Sequence, residues 1–122
     1  MFIRITIDNK HDFTTKVVHT ASDVAKGMMG ATFNDDKFSA MLFVCKGHKQ
    51  CFYMKNCIIP LDMLFISMKT NTITKIHHNC PPCTGDPCKT YCAPGEFVLE
   101  VLGGTCKKQG IHDGHKIELF TI

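Results

Sequence analysis

The stretch FYMKNCIIPLDMLFIS, from Phe52 to its closing Ser67, is apolar except for Lys55, Asn56 and Asp62. A second acid, Glu100, interrupts the apolar run FVLEVL between Phe97 and Leu102. A charge among such neighbours is costly unless it is paired or used. Two carboxylates that converge support general acid–base hydrolysis, which makes Asp62 and Glu100 catalytic candidates. Together with an amine and an amide, they form a set able to hold a small polar ligand, with Lys55, Asn56, Asp62 and Glu100 as its binding residues. The plainer alternative is that each acid faces water or ties a loop together by accepting backbone N–H bonds. No glycine-rich phosphate loop, Ser-His-Asp order or HExxH motif points to a named enzyme class.

A second group is built from sulfur. Cys80, Cys83, Cys88 and Cys92 follow one another at x2, x4 and x3 spacing, just after His77 and His78. Two thiolates on a tight turn are half of a tetrahedral zinc site, so these four cysteines are candidate zinc ligands. The spacing does not match iron–sulfur patterns. Free thiols, disulfides, and redox exchange through Cys80-Pro81-Pro82-Cys83 are the competing readings. Cys45, Cys51, Cys57 and Cys106 lie in or near apolar segments and read as buried, inert thiols, although Cys45 and Cys51 flank a turn and could pair if oxidised. Met28, Met29, Met41, Met54 and Met63 read as core filling rather than as copper ligands. His112 and His115 straddle a glycine turn and read as solvated.

Composition narrows the classes. The 122 residues are 44% hydrophobic and 20% charged, which suits one folded domain spanning 1–122. No run approaches the roughly 18 apolar residues of a spanning helix. The opening MFIRITID has a strand pattern rather than that of a signal peptide, so a membrane partner is not expected and a cytoplasmic location is. The net charge of +3 is spread over scattered lysines, without the basic stripe that nucleic-acid binding uses. Oligomeric state leaves no mark in the sequence.

The elements that must position these residues are mostly strands. In FIRITID, Ile3, Ile5 and Ile7 alternate with Arg4, Thr6 and Asp8 as in a half-buried strand. FTTKVVH, SAMLFVC, QCFYM, LDMLFIS, TITKIHH, EFVLEVL and HKIELFTI bring the total to about eight short strands, at spacings of sandwiches or barrels. TASDVAKGMMG is the one helix expected, capped by Thr20 or Ser22, ended by Gly27 or Gly30, and packing inward through Val24, Met28 and Met29. A turn is expected at NDDK, from Asn34 to Lys37, and a long irregular loop at NCPPCTGDPCKTYCAPG. By alternation, Asp62 shares a face with Leu64 and Ile66, and Glu100 with Val98 and Leu102. If those faces point inward, burial raises both carboxyl pKa values unless a cation answers them. Lys55, across the turn at Pro60, is the expected partner of Asp62, with Asn56 as a bridge.

The pieces come in a familiar order. Gly27-Met28-Met29, Ala40-Met41-Leu42-Phe43, the block Tyr53-Met54-Lys55-Asn56-Cys57-Ile58-Ile59-Pro60-Leu61-Asp62, Leu99-Glu100 and Gly114-His115 resemble the hallmarks of the family called domain of unknown function 192. The resemblance runs from about Val17 to Leu119. It implies a compact, mainly antiparallel β fold of barrel-like character with one short helix, and no settled activity. Tyr53 stands where the family has Trp, Cys57 where it has Thr, and His115 where it has the closing Asp. The function expected is a small soluble β domain that binds a polar ligand or partner near Lys55, Asp62 and Glu100. A hydrolase using Asp62 and Glu100, or an accessory module with a zinc-holding cysteine loop, is the alternative.

Overall fold

A computed structural model describes residues 1–33 and 37–122. The chain runs β1 (Phe2–Ile7), β2 (His11–Val18), α1 (Ala21–Lys26), β3 (Ala40–Val44), β4 (Lys49–Tyr53), β5 (Leu61–Ser67), β6 (Thr72–Cys80), β7 (Thr90–Pro94), β8 (Phe97–Leu102), α2 (Thr105–Gln109) and β9 (Ile117–Thr121). Seven strands form one sheet in the order β6-β5-β8-β3-β2-β1-β9, and β4 and β7 form a separate two-stranded ribbon. The sheet curls into a half-barrel. At one end its two outer strands meet: the Ile73 amide donates to the His115 carbonyl, Gly114 to Ile73, and Ile117 to Asn71. The mainly β, barrel-like architecture matches the expectation from the sequence. The pairings are antiparallel except for β2 with β3, which run side by side in the same direction.

Alternation explains where the core sits. Ile3, Ile5 and Ile7 of β1 point into the concave side, joined there by Phe13, Ala40, Leu42, Leu64, Ile66, Leu99 and Val101. On the convex side of the central strands lie Met41, Phe43, Met63, Phe65 and Val98, covered by Met28, Met54, Tyr91 and Ala93. Strands β3, β5 and β8 are thus buried on both faces, which is why they read as continuous apolar runs. The edge strand β9 buries Ile117 alone.

Local chemistry sets the ends of the elements. Thr20 caps α1, its hydroxyl accepting from the Asp23 amide at 3.2 Å. Gly27 ends the helix at φ 46°, a conformation L side chains rarely adopt. The β5–β6 hairpin closes at Asn71, which takes φ 54° and donates its amide to the Ser67 carbonyl.

Several expectations are corrected. Two short helices are present among the described residues, not one: α2 lies in GGTCKKQG, between β8 and β9. The long cysteine segment is not wholly irregular, because its end forms β7 against β4. Strands β3 and β4, though joined by the short turn KGHK, pair with other strands instead of with each other. Of the expected NDDK turn, residues 34–36 lie outside the described residues.

Gly95 makes the tightest passage, turning β7 into β8 at φ 147° with its amide donated to the His48 carbonyl. A Cβ there would sit 2.7 Å from the Ile66 carbonyl oxygen and 3.0 Å from its nitrogen. Both are main-chain atoms held in the ladder and cannot rotate away. Gly95→Ala is expected to cost about 3 kcal/mol, read as a fall in the denaturant midpoint with an unchanged m-value.

Candidate functional site

The two carboxylates are both buried, and the sheet separates them. In the β5–β8 register Asp62 faces Val101 and Met63 faces Glu100. Directly opposed residues of an antiparallel pair share a face. Asp62 therefore points to the concave side with Val101, and Glu100 to the convex side with Met63. Among the described residues they line no common pocket, and the acid pair expected for hydrolysis is not brought together.

Asp62 is fully buried and has a structural task. One carboxylate oxygen accepts from the amides of Asn79 at 2.7 Å and Gly104 at 3.1 Å, and the other from Cys106 at 2.9 Å. Gly104 is the N-cap of α2 and has no side chain to satisfy the first turn, so Asp62 supplies the acceptor from a neighbouring strand. The carboxylate joins the end of β6, the start of α2 and β5 at one end of the half-barrel. Lys55 takes no part, contrary to the expected pairing. Asp62→Ala would strand these buried donors, and a loss of about 3 kcal/mol or more in chemical unfolding is expected.

Glu100 is different. It is 3% exposed; among the described residues no hydrogen bond or ion pair of its carboxyl group is found, and neither oxygen is sealed from solvent. Instead it lines a pocket of about 190 Å³ on the convex face. Helix α1 and the turn after it supply Val24, Lys26, Met28 and Met29, β3 supplies Phe43, and the ribbon and its continuation supply Phe52, Tyr53, Lys55 and Cys57. Val24, Met28 and Met29 are the residues that helical spacing picked out, but only Val24 is on α1, and Met28 and Met29 lie in the turn after it. The close approach of Gly27 to the Phe43 ring, where a Cβ would lie 3.0 Å from two ring carbons, lets the helix end settle over the pocket. Phe43 and Phe52 meet edge to face at 4.9 Å, starting a ladder of rings that continues through Phe65, His77 and Tyr91.

Burial pushes the Glu100 carboxyl up to about 8, from an ordinary value of 4.5. Among the described residues no cation offsets that desolvation. The folded protein keeps a proton that the unfolded chain releases near pH 4.5. The contribution of this group to stability is therefore full below that pH, falls as pH rises and is lost above about 8. The steepest slope approaches about 1.4 kcal/mol per pH unit. Glu100→Gln, which keeps the shape and never ionises, is expected to flatten this dependence relative to wild type when unfolding midpoints are compared from pH 4 to 9.

Lys55 sits at the pocket rim and its ammonium bonds Asp86 at 3.0 Å, the contact that raises its pKa. No sequence signal marked Asp86, which lies 31 residues away in the cysteine segment. Asn56 adopts φ 59° and works through its main chain, donating to the Cys83 carbonyl and accepting from the Gly30 amide. Asn tolerates that left-handed conformation better than most residues. Of the four expected ligand residues, then, the structure brings Lys55 and Glu100 to one pocket, places Asn56 beside it as a backbone joint, and sends Asp62 to the other face.

The cysteines sort into two disulfides and four thiols. Cys51 bonds Cys92 across the ribbon, where the two are direct partners, and Cys83 bonds Cys88. Cys83, Cys88 and Cys92 offer no thiolate in this form, and Cys80 points into the convex core. The four do not fit the expected zinc site, and no group of metal-ligating His, Cys, Asp and Glu forms among the described residues. The alternatives of a Cys45–Cys51 pair and of redox exchange between Cys80 and Cys83 are likewise displaced, since Cys51 and Cys83 bond elsewhere, and Cys51 is not the inert thiol expected. Burial pushes the thiols of Cys45, Cys57 and Cys80 up to about 11 and raises that of Cys106 further, in keeping with inert thiols. Disulfides persist in oxidising surroundings, which sits against the reducing cytoplasm expected from the sequence. Among the described residues no helix is long and apolar enough to cross a membrane. His115 is not solvated as expected: its ring packs on His112 at 3.7 Å and reaches Asp8 at 3.6 Å.

Comparison with known proteins adds an architecture. The sequence profile of domain of unknown function 192, described as uncharacterized ACR, matches residues 3–119. A protein of unknown function from Novosphingobium aromaticivorans DSM 12444 is similar in structure with a TM-score of 0.84 at 28% identity, covering 96% of this chain and 84% of that one. A protein of Sinorhizobium meliloti 1021 described as a candidate transcription regulator also has a TM-score of 0.84 at 28% identity, covering 98% of this chain and 94% of that one. None of the curated proteins matches.

Proposed function

This chain belongs to the domain of unknown function 192 family, and from that premise, which carries a fold and no activity, we propose that it binds a small organic cation over Glu100. The observation that carries the reading is the buried carboxyl group that lines a cavity and has no protein partner among the described residues. A carboxyl group this withdrawn from water, whose access is the cavity alone, is served by an occupant of that cavity that offers it a donor.

The pocket sets the size and kind of occupant. A cavity of about 150 Å³ admits benzene, so about 190 Å³ suits a body of that size with one polar head. Phe43, Phe52, Met28 and Met29 offer aromatic and sulfur surface to such a body. Rings beside a cation add about 0.5–2 kcal/mol. Asp86 neutralises Lys55 at the rim, which lowers the repulsion a cation would meet there.

Magnitudes favour a charged head over a neutral one. Ionising Glu100 one unit below its pKa costs about 1.4 kcal/mol. A hydrogen bond to a charged group is worth about 1.5–3 kcal/mol, against about 0.5–1.5 for a neutral pair. The cation offsets the cost at neutral pH and gains as pH nears 8. Binding therefore releases a proton.

Titration with benzylammonium chloride, followed by NMR, tests this. Affinity is expected to rise about twenty-fold from pH 6.5 to 8.5, as the competent carboxylate fraction grows. Glu100→Gln should bind more weakly and lose the pH dependence. Equal affinity for benzyl alcohol and benzylammonium at pH 8.5, or no shift at pocket residues at millimolar concentration, would overturn the reading.

A further inference from the structure

The pocket wall from Cys51 to Cys57 is held at both ends by disulfide-bearing chain. At one end Cys51 is bonded to Cys92 of β7. At the other, the main chain of Met54–Asn56 is paired with Cys83: the Asn56 amide donates to the Cys83 carbonyl at 2.9 Å, and the Cys83 amide to the Met54 carbonyl at 3.1 Å. Cys83 is in turn closed onto Cys88, and the short loop between them carries Asp86, whose carboxylate meets the Lys55 ammonium at 3.0 Å. Lys55 belongs to the same pocket as Glu100.

We propose that the Cys83–Cys88 disulfide is a redox latch on this pocket: closed, it holds Asp86 against Lys55, and opened by a dithiol, it frees that lysine at the rim. This deepens the ligand reading above and rests on it for its functional consequence. The covalent step is thiol–disulfide exchange. A dithiol reductant gives two electrons and two protons, the Cys83–Cys88 bond becomes two thiols, and the reductant leaves as its own cyclic disulfide.

Three features support the assignment. Cys83 and Cys88 are half-buried, so a thiolate can reach them, as it can the exposed Cys51 of the other disulfide, but Asp86 is carried by the loop of Cys83–Cys88 alone. The Lys55–Asp86 pair is partly exposed, the ammonium side chain at 34% and the carboxylate at 74%, and so is weak alone. Its persistence depends on the loop being held in place. Closing a loop of a few residues removes much of its freedom, and reduction returns it. An unpaired ammonium beside the mouth then repels a cation, so opening the latch weakens binding.

The test separates the latch from the ligand. Amide hydrogen exchange and the Lys55 side-chain NMR shift need no ligand. In Cys83→Ser/Cys88→Ser, which leaves Cys51–Cys92 intact, protection of the Asn56 amide is expected to fall at least about ten-fold and the Lys55 signal to lose its contact with Asp86. Dithiothreitol should do the same to a Cys51→Ser/Cys92→Ser variant, in which Cys83–Cys88 is the one disulfide left to open. Asp86→Asn keeps the disulfide and should move the Lys55 signal while leaving Asn56 protected. Benzylammonium affinity at pH 8.5 is expected to drop about three-fold in Cys83→Ser/Cys88→Ser and in Asp86→Asn. Unchanged Asn56 protection and an unchanged Lys55 signal in Cys83→Ser/Cys88→Ser would overturn the latch. If those two readouts change as expected and benzylammonium binds neither form, the latch stands and the cation reading fails.

Discussion

Strands β5, β8 and β3 have no side turned to water, and most of the molecule follows from that constraint. Their concave faces are filled by the curl of the sheet itself, their convex faces by α1 and the β4–β7 ribbon. Any polar side chain on these strands is taken from water and needs a protein partner or a reason to lack one. Asp62 and Glu100 meet the two conditions separately. The first gathers backbone amides and fixes the end of the half-barrel. The second has none and faces a cavity. Two acids of similar chemistry, one strand apart, are divided into a structural and an open role by which way each residue points.

Much of this was legible in the residues. The alternation of Ile3, Ile5 and Ile7 gave β1, the capping Thr20 and terminal Gly27 gave α1, and the apolar neighbours of Asp62 and Glu100 raised burial as one of two readings, which the structure decides for both. Alternation within a strand could not show whether the two acids share a side. That depends on the register of β5 against β8, and a slip of one residue reverses every side chain. The opposed pair Met63 and Glu100 is a property of two segments far apart in sequence, as is the partner of Lys55.

The cysteines failed to declare themselves for the same reason. Local spacing suggested a cluster among Cys80, Cys83, Cys88 and Cys92, but Cys92 is claimed by Cys51 because β7 pairs with β4. Strand β7 itself is short and follows a proline-rich segment, and although its burial alternates, the residue types of TYCAP do not alternate in polarity, so it carried little signal. Helix α2 is a single turn between glycines and depends on a carboxylate from another strand for its cap. An element stabilised from outside leaves little trace in its own residues.

The stitching of β6 to β9 has its own consequence. An open seven-stranded sheet presents two ladders of unused amides and carbonyls, and such borders recruit foreign chains into fibrils. Here the start of β6 and the approach to β9 satisfy each other through Ile73, His115, Gly114, Asn71 and Ile117. The molecule thereby consumes part of each border against itself. At that end the ladder positions an incoming strand would need are already taken, by bonds that also join the two borders of the curled sheet.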